Sequence, residues 1–155
     1  MVDRYTSPPL ELPGAEEDFA RADLVFYGLD HSGHSYEGRV FLDQPDADRS
    51  AGRDGAGYAG SFYVFGHGGC FGDVGHCDVP SRDDPFDLRP PHQLEPAVRI
   101  LTVTESIQAL VKAGAAAATV TVVAHTPADF PDDVLAFTTI RLVTYAWATG
   151  VGERG

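Results

Sequence analysis

The chain has 155 residues, which fits one domain and is long enough to bury roughly 70% of its unfolded surface. It carries 23 acidic against 11 basic residues, a net charge of −12, with 43% apolar and 22% charged residues. That balance argues against nucleic-acid or anionic-membrane partners, because phosphate attraction would become repulsion, and no run of about 18 apolar residues marks a transmembrane helix.

Residues 1–20 hold Pro8, Pro9 and Pro13 and the acidic cluster Glu16, Glu17 and Asp18. They read as an extended arm or linker, with at most one helical turn near Glu16–Ala20. The arm lacks the basic start and apolar middle of a signal peptide, so the expected location is cytoplasmic, or exported together with a partner. A domain follows over 21–149, with a tail at 150–155. Asp23–Leu29 is apolar and aromatic and reads as a strand. Asp30–Ser35 is built of turn residues. Tyr36–Leu42 alternates, with Tyr36, Gly38, Val40 and Leu42 on one face and Glu37, Arg39 and Phe41 on the other. Asp43–Gly57 has no periodicity and reads as a long exposed loop.

Tyr58–Gly66 is the most aromatic stretch and is predicted to be a central strand, with Phe62 and Val64 on one face and Tyr63 and Phe65 on the other. His67–Pro80 is a Gly-rich irregular loop, and the prolines and aspartates of Ser81–Pro96 leave no regular element there. Val98–Val103 is a strand. Thr104 is placed to N-cap a short helix over Glu105–Val111, stopped at Gly114. Ala118–Ala124 alternates again, and Val134–Trp147 reads as a final long strand, bulged near Thr138–Thr139. The pattern predicts a mainly β chain: an antiparallel β-sandwich of six to eight strands, with one short helix and long loops. Its expected core is Leu24, Phe26, Val40, Leu42, Phe62, Val64, Leu101, Val103, Leu110, Val120, Val122, Ile140 and Val143.

One cluster carries metal chemistry by residue type. His67, Cys70, His76 and Cys77 fall within HGGCFGDVGHC, where glycines let the backbone converge. The spacing matches no standard zinc pattern. Three readings stay open: a Cys70–Cys77 disulfide pinning the loop, a transient copper site of thiolates and imidazoles, or, as the weakest, a zinc site. His31 and His34, three apart in DHSGHS, are a weaker ligand pair and equally an ordinary polar turn. His92 and His125 read as structural or exposed. Ser61 lacks the context of a hydrolase nucleophile, and GHGG at 66–69 is no nucleotide-binding loop.

The segments DLVFYGLDHSGHSYEGRVFL (23–42), GYAGSFYVFGHGGCFGDVGHC (57–77) and VLAFTTIRLVTY (134–145) together resemble the C-terminal β-domain of bacterial tyrosinase-like proteins. That domain is related to the C-terminal β-sandwich of haemocyanin units and latent polyphenol oxidases. The strongest segment is GSFYVFGHGG. The resemblance implies a haemocyanin C-terminal-domain-like sandwich. In that family a separate helical domain holds two copper ions on six histidines. The β-domain covers the entrance and inserts one apolar side chain toward the metals. The residue matching that placeholder is Phe65, with Tyr63 or Phe71 as substitutes.

The resemblance implies a non-catalytic cover and chaperone for a type-3 copper oxidase. Its partner would be a helical dicopper domain or subunit, and copper would sit in the partner or pass transiently through this chain. The alternatives are a small metalloenzyme using His31, His34, His67 and His76, and a plain protein-binding module.

Overall fold

The computed structural model describes residues 2–67, 86, 96–128, 130 and 133–147. The described chain forms nine strands and one helix: β1 (Arg4–Thr6), β2 (Leu10–Glu11), β3 (Arg21–Leu29), β4 (Tyr36–Leu42), β5 (Tyr58–Val64), β6 (Ala97–Thr102), α1 (Thr104–Lys112), β7 (Ala117–Ala118), β8 (Val120–His125) and β9 (Thr139–Tyr145). Every pairing is antiparallel. One sheet has the order β1-β8-β4-β5, the second β6-β3-β9, and β2 pairs with β7 alone. The chain is mainly β and sandwich-like, as its alternating segments predict.

Alternation decides what each strand buries. Tyr36, Val40 and Leu42 on β4, Phe62 and Val64 on β5, and Val120, Val122 and Ala124 on β8 face Ala22, Leu24, Phe26 and Leu29 on β3. The Phe26 and Phe62 rings meet between the sheets with centroids 4.6 Å apart. Gly38 lies beneath Phe62; a Cβ there would stand 2.5 Å from the ring, so its lack of a side chain makes room for the aromatic. Ten of the thirteen expected core residues are buried. Leu101 and Leu110 pack partly buried against the cluster. Val143 is the exception: it pairs with Asp23 and so shares the outer face of its sheet.

Four further expectations are corrected. The arm is extended, but its strands are stitched to the sandwich. Ser7 donates its N–H to the Val120 carbonyl at 2.9 Å and accepts the Val120 N–H on its hydroxyl at 2.9 Å. Tyr5, Leu10 and Leu12 reach the core edge, which supplies the apolar contact that holds the arm down.

Among the described residues, the aromatic segment around Phe62 is an edge strand, not a central one. Its rings are divided between the core and an exposed face.

Helix α1 is capped by Val103 without a side-chain bond. The Thr104 hydroxyl is engaged by the Ala22 N–H at 3.0 Å, so a tertiary bond displaces the local cap.

The last strand begins only at Thr139; Leu135 makes an isolated bridge to Val2. The β3–β9 ladder ends at Tyr27 and Thr139, next to Gly28, whose φ is +65°; beyond it the Thr138 N–H donates to the Tyr27 carbonyl at 2.8 Å, and on its other side β3 shifts register against β6.

Residues 43–57 form turns laid over the outer face of the larger sheet. Phe41, on that face, is only 1% exposed and packs against Tyr58 with ring centroids 5.6 Å apart. Helix α1 closes the end where β3 begins. The opposite end, where β3, β5 and β8 finish and β4 starts, gathers all four described histidines.

Candidate functional site

The histidine end is built by close backbone approach. Strand β5 leaves the sheet at Val64, and Phe65, Gly66 and His67 run alongside the loop from His31 to Ser35. A Cβ on Gly66 would overlap the Gly33 carbonyl and the backbone of His34 and Ser35, so only glycine permits this contact. Three polar bonds fix it. The His67 N–H donates to the His31 carbonyl at 2.9 Å, and the Gly66 N–H donates to the Ser35 hydroxyl at 3.0 Å. Within the loop, the Ser32 N–H donates to the Asp30 carboxylate at 2.8 Å in an Asx turn.

This frame brings His31 and His67 together. Their Nδ1 atoms are 3.2 Å apart and their ring centroids 5.0 Å apart. The expected pairing of His31 with His34 does not form among these contacts. His34 instead stacks on Phe130 with centroids 4.7 Å apart. Spacing in sequence suggested HxxH as a weak ligand pair; His31 makes its ring contact with His67, across the two loops. Cys70, Phe71, His76 and Cys77, with the disulfide and thiolate readings attached to them, lie outside the described residues.

Beside the histidines stand two exposed aromatics. Phe65 is 74% exposed and Tyr63 62%, whereas Phe62 and Val64, which alternate with them, are buried. Phe65 also meets the His67 ring edge-on at 5.7 Å. Tyr63, Phe65, Tyr36, His125 and Pro127 contribute to an open apolar hollow of about 330 Å³.

A polar network that sequence reasoning missed holds Tyr63. Arg53 donates to the Tyr63 hydroxyl at 3.0 Å and to Glu37 at 2.9 Å. Glu37 also accepts from Ser61 at 2.6 Å and from Arg39 at 3.3 Å. Burial pushes the Glu37 carboxyl upward, but the Ser61 hydroxyl and the two guanidinium groups outweigh it and hold the group below the usual carboxylate range. The period-two pattern had placed Glu37 and Arg39 on one face, which is the one signal that pointed here. Burial and the nearby Arg39 push His125 below the ordinary imidazole range, and its buried Nε2 has no hydrogen-bond partner among the described residues.

The described histidines sit on loops and strand ends, and α1 carries none. They do not fit the helix-borne, six-histidine dicopper centre of the tyrosinase-like family. Among the described residues no group of three or more His, Cys, Asp or Glu is gathered.

The two-sheet antiparallel fold has counterparts among solved structures. The chain is similar in fold to recombinantly expressed latent aurone synthase, a polyphenol oxidase, with a TM-score of 0.54 and 17% identity. The same enzyme from its natural source gives 0.53 and 16%. Each match covers 92% of this chain but only 24% of the enzyme chain. No family model and no curated protein matches the sequence.

Proposed function

We propose that this chain is the cover domain of a tyrosinase-like type-3 copper oxidase, shielding a dicopper pocket carried by a helical domain or subunit. The observation that carries the reading is Phe65. It stands 74% exposed just beyond an edge strand whose neighbouring Val64 is buried. Leaving a phenylalanine in water forgoes roughly 1.5–3 kcal/mol of burial, which a partner pocket would recover. Gly66 lies against the backbone of 33–35 and so fixes the strand end that carries Phe65. Tyr63, tethered through Arg53, widens the apolar contact. The fold likeness to part of a latent polyphenol oxidase supports the same reading.

Copper in this arrangement belongs to the partner, and oxidation of the phenol is the partner's chemistry. This chain's contribution is steric: an apolar side chain placed where a phenolic ring would otherwise enter. A lid of that kind is released by displacement, so docking needs only a few kcal/mol of preference. A chaperone role in copper loading is a further part of the proposal. It predicts that the partner takes up copper faster when this chain is present.

The test mixes the chain with the copper-bearing helical protein and follows diphenol oxidation. Wild type should inhibit, and Phe65→Gly should inhibit less. Equal inhibition by both removes Phe65 from the role. Diphenol oxidation by this chain alone would overturn the cover reading.

A further inference from the structure

We propose that His31 and His67 form a two-histidine site for a divalent first-row metal ion, bound through both Nδ1 atoms. The inference does not depend on the cover function. It follows from two distances within one ring pair.

Imidazole nitrogens bind zinc at about 2.0–2.1 Å, so an Nδ1–Nδ1 separation of 3.2 Å corresponds to an N–metal–N angle of about 100°. That angle lies between the tetrahedral and square-planar values preferred by zinc and copper(II). A linear two-coordinate ion would need nitrogens about 4 Å apart at the same bond length, which this pair does not provide.

The ring centroids supply the second constraint. A ring aiming its lone pair at a metal about 2.05 Å away has its centroid roughly 3.2 Å from that metal. Two such rings at about 100° have centroids about 5 Å apart, and the observed separation is 5.0 Å. Rings joined by a straight N–H···N bond of the same length would have centroids roughly half an ångström further apart. The two rings make a histidine–histidine hydrogen-bonding contact in this structure, and the same spacing fits two lone pairs directed at one shared ion. His67 Nδ1 also lies 3.4 Å from the His31 carbonyl oxygen, which offers its proton an acceptor when no metal is bound.

The backbone presets this geometry. The His67 N–H to His31 carbonyl bond and the Gly66 contact with 33–35 fix both Cα positions before any ligand arrives. Both side chains reach solvent, His31 half-buried and His67 exposed, so an ion can enter without rearrangement. With two imidazoles and no thiolate in the pair, the site favours borderline ions, copper(II) over zinc by the usual affinity order, over magnesium or calcium.

The experiment titrates zinc sulfate and copper(II) sulfate into the untagged 155-residue chain by calorimetry, and records imidazole nitrogen NMR shifts with zinc. One equivalent should bind, and the Nδ1 resonances of His31 and His67 should both move. His31→Ala and His67→Ala should each weaken binding by more than the roughly tenfold to hundredfold typical of losing an outer-shell partner. The double variant should be little worse than either single one, and His34→Ala should bind like wild type. Absence of saturable binding, shifts at Nε2 instead of Nδ1, or wild-type affinity in either single variant would overturn the proposal.

Discussion

Arg99 donates from Nε to the Tyr63 carbonyl oxygen at 3.1 Å, and so ties an edge strand of one sheet to an edge strand of the other. Arg99 pairs with Phe26 in register and is half-buried, yet its head leaves the core at the open seam. A few residues along, Leu101 fills the space above Gly60, where a Cβ would come within 2.9 Å of its methyl group. The seam beside Phe65 is thus closed by one polar bond and one apolar contact. The placement of the exposed aromatics depends on that closure.

Arg99→Ala should destabilise the chain by about 1 kcal/mol, the usual net worth of one hydrogen bond. The loss should fall on the end of β5, so the amides of Phe65 and Gly66 should exchange faster while those of β3 stay protected. Urea denaturation and hydrogen exchange read both effects. Unchanged exchange at Phe65 would show that the bond does not hold the tip.

Stability should fall in two steps as pH is lowered. His125 has its folded value pushed below the ordinary imidazole range by burial and by Arg39, so the folded state resists its protonation. Its contribution is present above the unfolded value of about 6.5 and is lost as pH falls from there toward the folded value. Glu37 is held down by Ser61, Arg39 and Arg53 against its burial. Asp23 is held down, also against burial, by Arg21 at 2.8 Å. Their contributions are present above about pH 4 and are lost as pH falls through the depressed folded values. Thermal melts across pH 8 to about 2 should show both steps. His125→Gln should flatten the first and Glu37→Gln should shrink the second; a single unchanged slope in either variant contradicts the assignment.

Gly28→Ala should cost about 1–3 kcal/mol. Alanine would have to adopt φ of +65°, and its Cβ would collide with the Thr138 hydroxyl. The damage should localise to the start of β9, where the Thr138 N–H meets the Tyr27 carbonyl. Chemical denaturation measures the cost, and a neutral result would mean that the close approach of Thr138 to Gly28 does not fix the start of β9.

Some of this was legible in the sequence because burial repeats with the strand period. The inward residues of β4 and β5 follow directly from alternation. Val143 misled because a β-branched residue in a strand looks like core, whereas register with Asp23 sets it outward. Asp23 itself is only 1% exposed, and no local pattern announces a buried carboxylate whose partner is two residues away on the same face. At the site, Phe65 and Tyr63 could be assigned a common face, but whether that face was covered depended on strand order. The sequence grouped His31 and His67 only within a four-histidine set; that these two meet was hidden for a related reason. The pair is made by Gly66 lying against Gly33, an approach between segments more than thirty residues apart.

Phe62, Phe65 and Tyr63 allow docking to be separated from folding on a single strand end. Phe62→Ala removes a ring packed against Phe26 and Tyr36, so it should cost about 3–5 kcal/mol. Phe65→Gly removes a side chain that is 74% exposed and outside the ladder, so stability should change by no more than about 0.5 kcal/mol. Tyr63→Phe keeps the ring and deletes the hydroxyl that Arg53 reaches, so it should also be near neutral for folding. Inhibition of the copper-bearing partner should rank differently from stability. Phe65→Gly should lose inhibition while its denaturation midpoint stays at the wild-type value, and Tyr63→Phe should retain most of it. If Phe65→Gly lost stability in proportion to inhibition, the effect would be folding, and the exposed ring would not be the group that fills the pocket.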